Sequence, residues 1–408
     1  MKQHYDAIVL GAGNVGLIQA LALAQAGFHI ALVDARPLPD AASPVGDPRV
    51  SAIAQSSLRI FQQLGLLEAL FKRPICAYDR MQVWDDATGA GVSFAAAEMG
   101  AKQLGHIIPN TDLAAVCRQA LLQDERVQLC FGELASAVAL TTAHASLTLR
   151  SGQHLQAPVI IGADGARSWL RAQLDMACRE RPYDQTAIVA TVETAQPHGG
   201  CARQVFLDTG PAALLPLAAP RQTALVWSVD NAVFDRLIHS DDAEFMTRLS
   251  AAIGHHLGGV ITISQRHHFP LVARHARAYV QPRVALVGDA AHTLHPLAGL
   301  GANLGFLDAA CLTAVLSSAR HKRRDMGALD TLVRYQRWRY EANQTALWMM
   351  RALRNIFAQQ TQPLSMARRL GLSAVDQSLS IKRYLMQHAF GLKGVLPPLA
   401  RYQVDRMC

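Results

Sequence analysis

"YDAIVLGAGNVGLIQALALAQAGFHIALVDAR", residues 5–36, decides the fold. "YDAIVLGAG" reads as a buried strand, "NVGLIQALALAQAG" as a helix ending at Gly27, and "FHIALVDAR" as a second strand. The three make a βαβ unit. Between the first strand and the helix stands Gly11-Ala-Gly13-Asn-Val-Gly16. Gly11 permits the tight turn, Gly13 lets backbone approach a pyrophosphate, and Gly16 lets the helix pack on the strand. The helix start offers free N–H groups and about half a positive charge to phosphates. Asp34 closes the second strand 18 residues after Gly16. A carboxylate there accepts the hydroxyl protons of an adenosine ribose. Arg36 is the only hint of a 2′-phosphate. The unit predicts dinucleotide binding and leaves NAD and FAD open.

The rest of the chain bounds the class. At 408 residues it has room for two or three domains, and with half its residues apolar and 17% charged it builds a large core. Seven cysteines (Cys76, Cys117, Cys130, Cys178, Cys201, Cys311, Cys408) are scattered and never in CxxC spacing. That argues against a disulfide framework or a zinc site and for a reducing compartment. No unbroken run of about 20 apolar residues is present, so no membrane-spanning helix is expected. The net charge of +8 is uneven: residues 320–408 hold 16 Lys/Arg against 5 Asp/Glu, a net +11, while the remainder sums to −3. There "YQRWRYEANQTALWMMRALRNIF", 335–357, places Trp338, Leu347, Met350, Leu353, Ile356 and Phe357 near one helical face. A helix packed on its own protein with Arg outward is one reading, and contact with an anionic membrane surface is the other. No nucleic-acid motif is present, which excludes that partner class.

Along the chain, "SSLRIFQQLGLLEALF" reads as helix and 79–97 as short strands. "TDLAAVCRQALLQ", 111–123, reads as a helix with Thr111 or Asn110 as N-cap. Residues 186–272 read as short strands forming an antiparallel sheet with one covered face. "RVALVGDAAH", 283–292, returns to the buried-strand style of the N-terminus, and from Gly301 the chain reads as helical. The first texture therefore returns after an inserted sheet.

Two further stretches choose between the cofactors. "VIIGADGARSWLR", 159–171, puts Asp164 and Gly165 just past a strand. "VALVGDAAHTLHPLAGLGANLGFLDA", 284–309, puts Gly288 and Asp289 at a strand end. With GAGNVG they resemble the three fingerprints of the group-A flavoprotein aromatic monooxygenases, which share the fold of para-hydroxybenzoate hydroxylase. "DPRVSAIAQSSLRIFQQLG", "LGHIIPN", "ALLPL" and "FPLVARHARAYVQPRVALVGDAAHTLHPLAGLGANLG" resemble the FAD-dependent hydroxylases of ubiquinone biosynthesis. "DPRVSAIA" and the 335–372 helices look closest to the subgroup acting on 2-polyprenyl-3-methyl-6-methoxy-1,4-benzoquinol.

The resemblance implies an α/β fold: a discontinuous GxGxxG FAD-binding Rossmann-like domain with an inserted antiparallel-sheet substrate domain and a C-terminal helical region. The expected divisions are 1–75, 109–174 and 276–320 for FAD, 76–108 and 175–275 for substrate, and 321–408 for the helices. It further implies Asp289 on the ribityl chain, Asp164 and Gly165 near the pyrophosphate or a nicotinamide approach, and Arg49 beside flavin and phosphates. Asn110 meets the ribityl chain and Pro296 borders the ring. Gly299, Gly301, Ala302 and Asn303 offer backbone N–H groups to its pyrimidine end. FAD is the implied cofactor, NAD(P)H the donor and O2 the co-substrate, with oxygen passing through a flavin C4a-hydroperoxide to the ring of a polyprenylated phenol or benzoquinol. The implied setting is the cytoplasm, peripheral to the inner membrane and beside other ubiquinone-biosynthesis proteins. The alternatives are hydroxylation or epoxidation of another aromatic compound, or a catalytically silent FAD-binding partner. Two positions depart from the family: Leu300 where it often reads AGQG, and His106 where it often has an aromatic residue. His106, Pro296 and Leu300 are pocket candidates, and no catalytic side chain is assigned. His292 and His295 are read as shaping their loop, since zinc needs three or four ligands and nothing nearby completes the set.

Overall fold

The computed structural model describes residues 2–38, 47–295, 299–358, 362–389, 391 and 394–401. A six-stranded sheet holds the parallel strands Ala7–Leu10, Ile30–Asp34, Val127–Phe131, Ile160–Gly162 and Val284–Leu286, with Val280–Gln281 as an antiparallel edge. Its strands come from four separated parts of the chain, and those at 7–10, 30–34, 160–162 and 284–286 are buried throughout. This is the near-continuous apolar pattern of a sheet covered on both faces. Helix Asn14–Gln25 packs between this sheet and the helices Leu300–His321 and Asn110–Leu122.

A second, nine-stranded sheet is built on the 17-residue strand Cys178–Thr194, which pairs antiparallel with Gln222–Asp230 and His267–Ala276. The sheet is mixed, not wholly antiparallel: Cys201–Leu207 runs parallel to Arg80–Asp85. Residues 186–272 also hold two helices, Asn231–His239 and Asp242–Ala252, where the sequence reading expected short strands throughout. The second is capped by Asp241, whose side chain accepts from the Glu244 N–H. A three-stranded sheet (Val50–Ala54, Gly105–Pro109, Cys76–Tyr78) lies between the two larger ones along the chain.

Several local expectations are corrected. The helical run after residue 55 is two helices, Gln55–Gln63 and Leu67–Phe71, divided at Gly65 with φ +70°. The helix Asn110–Leu122 begins after Pro109 and neither Thr111 nor Asn110 caps it. Among the described residues one helix, Gly301–His321, is long and apolar enough to cross a membrane by length and composition alone. It is 72% buried by its own protein, which marks a core helix. In the helix Leu329–Ala358, Leu347, Met350 and Phe357 are buried and Trp338 is half-buried while Leu353 and Ile356 are exposed, so the six apolar residues do not share one covered face.

Candidate active site

The turn after the first strand is fixed by contact. Gly11 has φ +104°, and a Cβ there would fall 2.4 Å from the Ala163 carbonyl oxygen. A Cβ at Gly16 would fall 1.9 Å from the carbonyl oxygen of Gly11. Around Gly13, by contrast, nothing lies within 4 Å of a Cβ. The helix that follows has Gly13 as N-cap, with no side-chain cap and no acid in its first turn. Its first N–H groups therefore have no intrahelical partner and face open space beside Gly13. Such a helix start has the free donors and the room that a diphosphate needs.

At the far end of the second strand Asp34 accepts from the Ala12 N–H at 2.6 Å, and from Arg36 through its backbone N–H, Nε and Nη2. Burial pushes the Asp34 carboxyl up, but the hydrogen bonds from Arg36 and Ala12 outweigh it and hold it below its ordinary value. Arg36 is mostly exposed and lies along the acid, instead of standing free toward a 2′-phosphate. Arg118 is half-buried nearby; burial, and then the charge of Arg36, lower its pKa.

Asp164 and Gly165 follow the strand Ile160–Gly162 and stand against the Gly11 turn. Asp164 Oδ2 accepts from the Leu170 N–H, while its buried Oδ1 has no partner among the described residues. Burial raises this carboxyl. Arg171, which the sequence reading passed over, joins this loop to the next: its Nη2 donates to the Ala166 carbonyl and its Nη1 to that of Ala290.

The stretch 288–303 closes the site. Asp289 is solvent-accessible, with protein crowded around its carboxyl. That crowding raises its carboxyl, with His292, Arg49 and Arg274 pulling the other way. Arg49 is paired to Asp47. Asn110 accepts from the Ser51 hydroxyl at 2.7 Å, and its N–H donates to the Arg49 carbonyl. The helix Leu300–His321 has Gly299 as N-cap with φ +59°, no side-chain cap and no acid in its first turn. Asn303 is buried and saturated: its Oδ1 accepts from Ala54 N–H and Ser57 Oγ, and its Nδ2 donates to the carbonyls of Ala52 and Gly299. Its side chain therefore fastens the helix start to the strand Val50–Ala54. Pro296 and the side chain of Leu300 lie outside the described residues.

Two further features were not foreseen. His292 belongs to a buried hub and does not merely shape its loop. The Asp308 carboxylate, fully buried, bonds His292 Nε2 (2.6 Å) and Gly288 N–H (3.2 Å) on one oxygen, and Arg339 Nε (2.7 Å) and Asn343 Nδ2 (3.1 Å) on the other. Burial acts to raise the Asp308 carboxyl, but His292 and Arg339 hold it far below the usual carboxylate range. The hub ties the 288–292 loop to the long C-terminal helix. His295 Nε2–H donates to Gln185 Oε1 at 3.1 Å, and its ring meets Tyr183 edge-on. The other feature is an apolar wall on the face of the small sheet that carries Ala52 and Ile107, gathered with half-buried Met81, Phe94, Leu215 and Leu217. Ala52 touches the N-cap: a Cβ at Gly299 would lie 2.9 Å from the Ala52 Cβ. His106, next to Ile107, is turned away from that wall. It lies against Phe71 with ring centroids 5.4 Å apart, and burial lowers its pKa.

An open diphosphate cradle, a strand-end acid, an orphaned Asp164 oxygen and an uncapped helix start suit FAD, and the chain matches the family described as FAD binding domain over residues 4–346. It belongs to the FAD-dependent hydroxylases of ubiquinone biosynthesis. It is 35% identical over 397 residues to the Rhodospirillum rubrum protein "Ubiquinone hydroxylase UbiL", covering 95% of this chain and 89% of that one. It is 34% identical to the Escherichia coli "3-demethoxyubiquinol 3-hydroxylase", covering 96% and 100%. Among solved structures it is similar to p-nitrophenol 4-monooxygenase PnpA from Pseudomonas putida, with a TM-score of 0.79 at 18% identity, covering 97% of this chain and 100% of that one. This member of the family is an FAD-dependent monooxygenase of the hydroxylase type.

Proposed function

We propose that the protein hydroxylates a ring carbon of a polyprenylated phenol or benzoquinol, with NAD(P)H as electron donor and O2 as co-substrate. The observation that carries this is the apolar wall beginning at Ala52, directly against the Gly299 helix start. FAD, when bound, supplies the redox chemistry that lets one atom of O2 reach the ring. The chain's own residues bind and orient. The Gly13 helix start and Asp34 take the dinucleotide end, with Gly165 and Asp164 beside it. Arg49, Asn110, Gly288 and Asp289 take the middle. The backbone N–H groups of Gly301 and Ala302 stabilise negative charge on the ring system, an effect worth up to about 2 kcal/mol in a partly buried site. The wall excludes water and receives the substrate, and no acid–base pair is required of the protein.

Within the family we favour the subgroup acting on 2-polyprenyl-3-methyl-6-methoxy-1,4-benzoquinol. "DPRVSAIA" at 47–54 supports this, and the E. coli relative has that kind of name. Complementation of mutants blocked at each ring position, with mass spectrometry of the accumulated quinol, is the test. Rescue of one position only is expected. Flavin bound without rescue of any position would instead favour a silent partner.

Such a substrate resides in a bilayer, which supports a site of action at the cytoplasmic face of the inner membrane. Trp348, Ile356, Met366, Leu370, Tyr384 and Val395 are large, apolar and exposed on C-terminal segments whose net charge is +11. That combination suits an anionic lipid surface. Vesicles rich in phosphatidylglycerol should bind the flavin-loaded protein more tightly than neutral ones. Equal, weak binding to both would leave docking to other ubiquinone-biosynthesis proteins as the use of this face.

A further inference from the structure

We infer that a cleft between the end of the helix Leu300–His321 and the start of the helix Leu329–Ala358 binds a phosphate ester, held by Lys322, Arg324 and Arg334. The site is independent of the quinol reaction proposed above, and it gives the anionic lipid contact a defined seat. It lies at the far end of a 22-residue helix from Gly299, about 30 Å from the helix start assigned to the flavin. The cleft has a volume of about 250 Å3. That is below the range of about 300–1,000 Å3 typical of drug-sized ligands and suits a small headgroup. Buried Val315 and Ala319, with half-buried Trp338, give it an apolar floor. Lys322, Arg324 and Arg334, all exposed, give it a cationic rim.

The three rim cations are not used by the protein itself. Among the described residues none of them pairs with a carboxylate. Asp325, the acid of this turn, is taken by Arg283 through Nη1 at 2.6 Å, and Asp330 accepts from the Thr331 N–H at 2.9 Å. Arg320, by contrast, donates to the Gly27 carbonyl at 2.7 Å. Cations at a helix C-terminus ordinarily answer its free carbonyls. Here the turn meets that need with its own backbone: the N–H groups of Lys322, Arg323 and Arg324 donate to the carbonyls of Ser318, Arg320 and Ala319. Arg323 takes φ +52°, where glycine is the usual residue. That left-handed step brings the Arg324 N–H to 2.8 Å from the Ala319 carbonyl and so fixes Arg324 beside the cleft. On the apolar side Trp338 Nε1 donates to the Val395 carbonyl at 2.6 Å, which sets the exposed Val395 next to the cleft. An apolar floor, a cationic rim and adjoining exposed apolar surface favour an acidic phospholipid headgroup over a free phosphate ester.

The test is calorimetric titration of the FAD-loaded full chain with dihexanoylphosphatidylglycerol below its micelle concentration, with dihexanoylphosphatidylcholine, and with glycerol 3-phosphate. The glycerol lipid should fill one site per chain. Arg324→Gln and Arg334→Gln together should weaken it about tenfold or more. Both arginines are exposed, and unchanged flavin content checks the fold. Arg337→Gln, at an exposed arginine outside the cleft, should leave the affinity as it is. Tighter binding of the lipid than of glycerol 3-phosphate assigns the site to a membrane headgroup. Glycerol 3-phosphate binding as tightly or more tightly assigns it to a soluble phosphate ester. No saturable binding of either, equal affinity for the choline lipid, or an affinity that the double variant does not lower more than Arg337→Gln does, overturns the inference. Vesicles bound equally weakly whatever their charge, with the soluble phosphate ester still seated, would refute the surface contact proposed above and leave the cleft standing.

Discussion

Replacing Asp308 by alanine should be among the most damaging single changes available in this chain, although sequence reading gives it no role. The acid is fully buried and takes four donors from two segments: Gly288 and His292 in the 288–292 loop, and Arg339 and Asn343 on the long helix. Arg339 retains the Asn343 Oδ1 at 2.8 Å and the Leu304 carbonyl at 3.4 Å, but loses its only carboxylate among the described residues. Breaking a buried ion pair from one side costs about 3–5 kcal/mol, because the surviving charge has neither water nor a counter-ion. Asp308→Asn keeps the volume and one acceptor, so its loss should be about 1–3 kcal/mol. Equilibrium urea unfolding of the apoprotein, followed by far-ultraviolet circular dichroism, measures both. Fluorescence titration with FAD should show weaker binding in both variants, since the hub holds the loop that carries Asp289. An alanine variant within about 1 kcal/mol of the parent would refute the reasoning.

Three further outcomes are expected. Asp289→Ala should lower flavin content after purification, and normal content would contradict the placement of the 288–292 loop. Gly16→Ala should unfold the chain or displace the first helix, since its Cβ would overlap the Gly11 carbonyl at 1.9 Å; a parent-like melting temperature with intact FAD binding would contradict that contact. Stability should fall as pH drops below about 6.5: burial holds His295 at about 3 and His275 at about 4. Between those values and the ordinary histidine range the unfolded chain binds protons that the folded one refuses, a slope of up to about 1.4 kcal/mol per pH unit for each group. Asp308, depressed in the folded state, adds its own loss only at lower pH, below the ordinary carboxylate value. Urea midpoints that stay flat from about pH 7.5 to 5 would contradict the burial of the two histidines.

The βαβ unit was legible because its constraints are local. Gly16 is required by a backbone contact with Gly11 inside the same turn, Gly11 is required by its own φ of +104° before its distant contact with Ala163 is counted, and Asp34 sits at a strand end whose length the apolar run sets. The helices at 231–252 were less legible, because their apolar residues are sparse and resemble short strands. Asp241 followed by Glu244 was the available signal of a helix start. The hub was hidden because its members are far apart in sequence, joined only when the helices Leu300–His321 and Leu329–Ala358 pack together. A lone acid at 308 within an otherwise apolar helix, and Arg339 with Asn343 one turn apart, were its visible traces. The side on which His106 falls depends on strand register: Ile53 stands opposite His106 and Ala52 opposite Ile107, a pairing no local pattern states. Its neighbour, not His106, reaches the apolar wall.

In the proposed reaction this flavoprotein places an oxygen atom from O2 on the ring of a polyprenylated quinol. Turnover under 18O2 with FAD, NAD(P)H and a tail-bearing quinol, followed by mass spectrometry, tests it most directly. One 18O atom is expected in the product hydroxyl, and none when the label is in water. Oxidation of NAD(P)H that yields only hydrogen peroxide, with no labelled quinol of any ring pattern, would contradict it.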